Sequence, residues 1–419
     1  MSGASIDSRF WVVPGSMNTK KEKTRLGADR QGDSDVAKSV YGNDTVKGIL
    51  LSLIKPFVWL WMRVDAKRIV RTDGNVDFRR KEPYVMLANH TFLFDVIHVP
   101  LPFSKVPYIV GSQTLFTKQP VKFLVSKVAR VIAKSKGASD ISTVKSLLGV
   151  VRKGYPILIF PEGDTTFFGR TNLIEPSTYK LVKKLGVDVI TVNVKGGYLS
   201  KPRWALYKRK KRVAEFDYSL LITKDEIKDM DVETIKEKIE HALDHDDYAY
   251  QRDVMRPHPG NRLAEGIENV CYVCPICKAV TSIETQGNTM TCTSCKTEGR
   301  VDDYGFIKGF PYDNLIEWDA FQRSEQKALM ASTVKTSATM TWLDMDSFRR
   351  IPVGRVDILY KDGKLHLSGA HEATIDIKDT SNATITLRRD LGFVYDGKTY
   401  FLSMDRYGHA LLRILQNKY

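Results

Sequence analysis

Acidic residues are in short supply: Asp and Glu number 49 against 64 Lys and Arg, a net charge of +15. Such an excess calls for an acidic partner, meaning nucleic acid, an anionic membrane surface or a phosphorylated substrate. Cysteine is scarce too. All five lie between Cys271 and Cys295, which reads as one local site rather than a disulfide framework and fits a reducing cytosol. No bilayer-spanning apolar run is expected. Gly48–Met62 is shorter than the roughly 20 residues a spanning helix needs, and Lys55 and Pro56 interrupt it. Nor is a secretory signal expected, since Phe10–Val13 is too short for its apolar core and Pro14 follows. With 42% hydrophobic and 27% charged residues the composition is that of an ordinary globular chain, and 419 residues predict two to four domains.

Residues 1–44 are rich in Ser, Gly, Asp and Lys without a sustained apolar period, and a disordered tail is expected there. Gly48–Met62 carries two Trp and is flanked by Lys47, Arg63, Lys67 and Arg68, a pattern that suits a helix lying in a membrane interface. The alternative is a helix covering the sheet behind it. Apolar strands are expected at Tyr84–Ala88, Ile157–Phe160 and Val189–Val194, with helices at Val121–Arg130 and Ile141–Lys153 between them. That alternation predicts an α/β fold with a largely parallel sheet over residues 45–255. Lys224–His245 reads as one charged amphipathic helix and Tyr248–Asn261 as a linker. Residues 256–310 hold the cysteines. Residues 311–419 read as a small β-rich domain with a terminal helix, Tyr407–Gln416, and Asp362-Gly363 and Asp396-Gly397 predict hairpin turns.

Two motifs carry chemistry. Asn89-His90 follows the strand ending at Ala88, and Asp95 comes five residues after His90. A carboxylate at that distance can accept one ring N–H and raise the basicity of the other nitrogen, which then takes a proton from an attacking alcohol. The spacing alone is common: His241/Asp246 and His371/Asp376 repeat it, and both read as surface pairs. A second element sets His90 apart. Phe160-Pro-Glu-Gly163 breaks a strand about 70 residues downstream and exposes Glu162 at the kind of sheet edge where ligands collect.

In these blocks the chain resembles the glycerolipid acyltransferase family, of the lysophosphatidate acyltransferase type. The resemblance covers roughly residues 46–223 and includes Val131–Lys136 and Val189–Val194. It implies that His90 is the general base and Asp95 its orienting charge, that Glu162 and Gly163 place a glycerol phosphate acceptor, and that Lys134 or Lys136 neutralises its phosphate. The donor would be acyl-CoA or acyl carrier protein, and the enzyme would be peripheral or monotopic on the cytoplasmic face of a membrane. The family's Thr-Arg-Ser is Asp164-Thr165-Thr166 here, so Arg170 is the candidate substitute for the missing arginine, and a different lysolipid acceptor is the alternative reading.

Cys274-Pro-Ile-Cys277 and Cys292-Thr-Ser-Cys295 are two Cys-x2-Cys knuckles with 14 residues between them. This spacing predicts a zinc ribbon with a structural Zn2+, four thiolates leaving no open coordination position. Cys271 stands three residues before Cys274, and a 271/274 register is the alternative. Lys208–Arg212, the densest basic run, reads as a lipid-facing patch or a turn between strands. A nucleic-acid-binding protein built on the ribbon and this run is the competing reading. Against it, Ile283–Thr291 offers neither an aromatic nor a basic side chain, and His90 and Glu162 would go unused.

Overall fold

A β-strand buried on both faces must be apolar throughout, and β2 (Tyr84–Ala88) and β5 (Ile157–Ile159) meet that condition, every residue being buried. They lie at the centre of a seven-stranded sheet of order β1-β7-β6-β2-β5-β3-β4. The other strands are β1 (Lys67–Thr72), β3 (Tyr108–Ser112), β4 (Val131–Lys134), β6 (Asp188–Lys195) and β7 (Val213–Ile222). From β6 to β4 the strands run parallel, while β7 pairs antiparallel with β6 and carries β1 parallel to itself. The sheet is therefore mixed α/β, as expected, with its parallel strands all ending at one edge.

The protein is described from a computed structural model that covers residues 44–112, 130–134, 141–345 and 349–417. The expected tail, the helix expected at Val121–Arg130 except for Arg130, and Lys136 lie outside the described residues. Thr45–Tyr419 form one compact unit.

Helix α1 (Asp44–Asp65) precedes β1 and contains Pro56. Among the described residues no helix is long and apolar enough to cross a membrane. Met62 is buried, yet Leu53, Phe57, Trp59, Leu60, Trp61 and Val64 are exposed. The helix is anchored at its middle and at its C-terminal end. Lys55 Nζ donates to Phe103 O at 2.6 Å, and Asp65 pairs with Arg212 at 2.8 Å.

Two expectations for the segment after β7 are corrected. Lys224–His245 is two helices, Glu226–Asp229 and Val232–Leu243, because Met230 is extended and the Asp231 carboxylate caps the second by accepting from Thr234 N. The stretch read as a linker begins with a helix, Asp247–Val254. Asp246 caps it, and Tyr248 and Gln251 are buried. The basic run also differs from expectation. Arg209 is buried and donates to Leu199 O at 2.8 Å, and Arg212 is committed to Asp65, so two of its five cations serve the interior.

The cysteine segment forms an antiparallel four-stranded sheet, β8 (Ile283–Gln286), β9 (Thr289–Cys292), β10 (Glu298–Val301) and β11 (Ile307–Lys308). It shares a core with Tyr198, Leu199 and Trp204 from the first sheet's connections and with Trp318. Next comes a second seven-stranded sheet, antiparallel throughout, of order β15-β14-β13-β12-β18-β17-β16. Its strands are β12 (Val334–Asp344), β13 (Arg349–Lys361), β14 (Lys364–Gly369), β15 (Ala373–Asp376), β16 (Ser381–Thr386), β17 (Asp390–Tyr395) and β18 (Lys398–Met404), and the helix Gly408–Gln416 packs on it. Both expected turns are present, with positive φ at Asp362, Gly363, Asp396 and Gly397, as a two-residue hairpin loop requires.

Candidate active site

The register of two parallel strands assembles the site. Leu87 of β2 lies opposite Ile159 of β5, and His90 and Glu162 each follow three residues later. They meet beyond the strand ends, where His90 N donates to Glu162 Oε1 at 2.6 Å. Glu162 Oε2 accepts from Asn172 N, also at 2.6 Å, so one carboxylate pins both walls of the loop. Gly163 closes the turn with φ 73°, a conformation that costs a glycine nothing.

His90 faces Asp95 as expected. Asp95 is fully buried at the start of a four-residue helix, α2 (Asp95–His98), and its oxygens lie 2.9 and 3.0 Å from His90 Nδ1. Oδ2 also accepts from Thr91 N at 2.8 Å and Phe92 N at 3.2 Å. These donors hold the carboxylate in place, and the ring's other nitrogen, Nε2, is left to act. The Phe160 ring packs against the imidazole, centroids 4.4 Å apart. Burial disfavours the imidazolium, but the charge and hydrogen bond of Asp95, with Glu162 and Asp164 nearby, hold the His90 pKa above its ordinary value. Burial likewise pushes the Glu162 carboxyl up to about 7, against the pull of its two N–H donors and His90.

Residues outside the expected set hold this geometry. Asn89 mimics a strand pairing, donating to Val194 O at 3.0 Å and accepting from Val194 N at 2.6 Å. Gly197 lets the chain come close: a Cβ there would stand 2.3 Å from Thr91 Oγ1. Arg203 joins the loop after Glu162 by donating to Thr165 O and Asp164 Oδ1, both at 2.8 Å. Asn89 adjoins the motif and could have been read from it; Arg203 is a lone arginine in a connection and has no sequence signal.

The remaining candidates are placed as follows. Lys134 ends β4, at the same sheet edge as His90. The Arg170 guanidinium is exposed and lies 3.7 Å from Asp244, with no hydrogen bond or ion pair to His90, Asp95 or Glu162. His241 is exposed, while Asp246 serves its helix cap and Asp376 accepts from Lys378 N; neither forms a dyad with the histidine five residues before it.

Cys274, Cys277, Cys292 and Cys295 bring all their sulfurs within 4.8 Å of one another. The Cys274–Cys295 and Cys277–Cys292 distances are 3.8 and 3.7 Å. A tetrahedron with metal–sulfur bonds of about 2.3 Å has edges of about 3.8 Å, so the group fits a metal ion of zinc's size. Each knuckle ends on a lysine in the left-handed region, Lys278 at φ 61° and Lys296 at φ 63°. Cys271 is outside this group, buried in the core with its thiol pKa pushed well above the usual value by that burial.

The Acyltransferase family model matches residues 69–195, the segment that holds both motifs. Among solved structures the chain is similar to the crystal structure of the 1-acyl-sn-glycerophosphate (LPA) acyltransferase PlsC from Thermotoga maritima. That similarity has a TM-score of 0.39 and 17% identity, over 54% of this chain and 89% of that one. No curated protein matches the chain.

Proposed function

We propose that this acyltransferase moves a fatty acyl group from a CoA or acyl carrier protein thioester to the hydroxyl of a lysophospholipid, with 1-acyl-glycerol-3-phosphate as acceptor and phosphatidate as product. The observation that carries it is the buried Asp95 carboxylate on His90 Nδ1 at the mouth of the parallel sheet. With Nδ1–H donated to Asp95, Nε2 accepts the proton of the attacking hydroxyl. The new C–O bond forms as the C–S bond breaks, and the imidazolium returns the proton to the departing thiolate. Glu162 and Gly163 position the acceptor beside His90. The cysteine group holds a structural Zn2+, which would tie the ribbon turns together and take no part in transfer.

The chain acts at a membrane surface, on its cytoplasmic face. Two features support this placement. Large apolar side chains are exposed on α1, at Leu53, Phe57, Leu60, Trp61 and Val64, and next to the site residues in sequence, at Leu93 three residues after His90 and at Leu173 directly after Asn172. Trp61 meets Phe94 of the catalytic loop edge-to-face, centroids 5.6 Å apart, so the helix and the loop present one surface. Reduced, metal-binding thiolates suit the cytosolic side.

The test is acyl transfer by purified protein given acyl-CoA and a panel of lysolipid acceptors, with His90→Ala alongside. Product on lysophosphatidate that vanishes in the variant supports the full reading. Transfer to another acceptor alone keeps the chemistry and removes the substrate, and no transfer to any acceptor removes both.

A further inference from the structure

The hairpin joining β16 to β17 ends in Leu387, Arg388 and Arg389, and it is fastened to the catalytic loop through Arg203. The Arg203 side chain is only 6% exposed. Its Nη1 donates to Asp164 and Thr165 as described; Nη2 donates to Ile385 O at 3.0 Å, Nε donates to Leu387 O, and the guanidinium stacks 3.8 Å over the Phe167 ring. The neighbouring Thr166 N donates to His90 O at 2.9 Å. A short run of hydrogen bonds therefore links the general base to the tip of a hairpin almost 300 residues further along the chain.

That tip has the chemistry of a phosphate contact. Arg388 and Arg389 are both exposed, and neither makes a side-chain hydrogen bond or ion pair with any described residue. The other cations placed near the loop are engaged: Arg203 as above, Lys201 with Asp65, and Arg170 with Asp244. Partial burial lowers the Arg388 pKa, with Arg389 adding to the effect. Leu387 holds φ 55°, a conformation that a bulky side chain adopts only when surroundings enforce it, and Arg203 supplies the enforcing contact. Two adjacent guanidiniums suit a phosphate, which each can grip through paired N–H donors. Thr165, where the resemblance would place an arginine, offers no charge.

We propose that Arg388 and Arg389 bind the phosphate of the acceptor lipid, so that the C-terminal sheet completes the acceptor site. This rests on the acyltransferase reading above. The test is steady-state kinetics of the full chain in neutral detergent micelles, with acyl-CoA and lysophosphatidate, comparing wild type with R388A/R389A. KM for lysophosphatidate should rise about tenfold or more with a much smaller change in kcat, since charged hydrogen bonds of this kind contribute on that scale, and R388K/R389K should recover part of the loss. An unchanged KM overturns the proposal. So does a rise in KM for acyl-CoA that disappears with a phosphate-free acyl-N-acetylcysteamine thioester, which would place the arginines on the donor. A defect confined to anionic vesicles and absent in micelles would assign them to the membrane surface, again overturning it. Wild type inactive on every acceptor would refute the acyltransferase reading instead. Titration with sn-glycerol 3-phosphate then decides the arginine site by itself: binding lost in the double variant keeps it, and equal or absent binding in both removes it.

Discussion

His90 N donates to Glu162 Oε1 at 2.6 Å across 72 residues of sequence, so His90 and the Glu162 loop are one hydrogen-bonded unit. A change in the Glu162 carboxyl therefore reaches the backbone that carries His90, and the predictions below use that coupling.

His90→Ala should reduce transfer by at least about a thousandfold, the scale on which a positioned base contributes, while circular dichroism remains native. His241→Ala and His371→Ala should stay close to wild type. Substantial activity in the first, or its loss in either of the others, would assign the base to another histidine.

The rate should rise with pH through the pKa of His90, because only the neutral ring accepts a proton, and that pKa is held above the ordinary histidine value mainly by Asp95 opposing the effect of burial. The acid limb of kcat should thus lie above the usual histidine range. In Asp95→Asn the charge is gone and burial remains, so the limb should move to lower pH, with kcat down roughly 100- to 10,000-fold. A limb that stays in place would show that another group titrates there.

Glu162, pushed up to about 7 by burial, is raised above its unfolded value, so ionising it in the folded state costs stability. That cost is absent at pH well below 4.5, grows as pH rises, and is complete above about 7. Chemical denaturation of Glu162→Gln against wild type should show the variant gaining relative stability between pH 5 and 8, on the order of 2 kcal/mol. No pH-dependent difference would remove this account of the buried carboxyl.

One zinc per chain is expected by elemental analysis, and Cys292→Ser/Cys295→Ser should lose it. Because Cys274 and Cys292 share a core with Tyr198, Leu199 and Trp204, metal loss should also loosen the connection between β6 and β7, seen as faster amide exchange there. Metal-free protein with unchanged exchange would show that the ribbon turns hold without an ion.

Phe57 and Leu60 are 74% and 59% exposed, so Phe57→Glu/Leu60→Glu should leave melting nearly unchanged. Affinity for anionic vesicles should fall roughly a hundredfold, since two large apolar groups would no longer enter the interface. Equal sedimentation with vesicles would direct attention to another surface.

Much of the site was legible because local chemistry encoded it. Phe160-Pro-Glu-Gly163 announces a broken strand, and the all-apolar run Tyr84–Ala88 announces a buried one. The cysteine spacing likewise announces four converging thiolates, and the sulfur geometry excludes Cys271 from them. The two helix errors, at Met230 and at Tyr248, came from overlooking Asp231 and Asp246 as caps, a signal that was present in the chain.

The sequence by itself determined the central strands β2, β5 and β6, the hairpin turns at Asp362-Gly363 and Asp396-Gly397, the His90/Asp95 pair and the thiolate group, since each depends on residues a few positions apart. Only the tertiary structure decided that β2 and β5 are neighbours in a register that brings His90 to Glu162, and that Arg203 fastens the Leu387 turn to the Asp164 loop. Contacts of that kind join backbone carbonyls and single side chains far apart in the chain, and such partners leave no periodicity, spacing or composition to read.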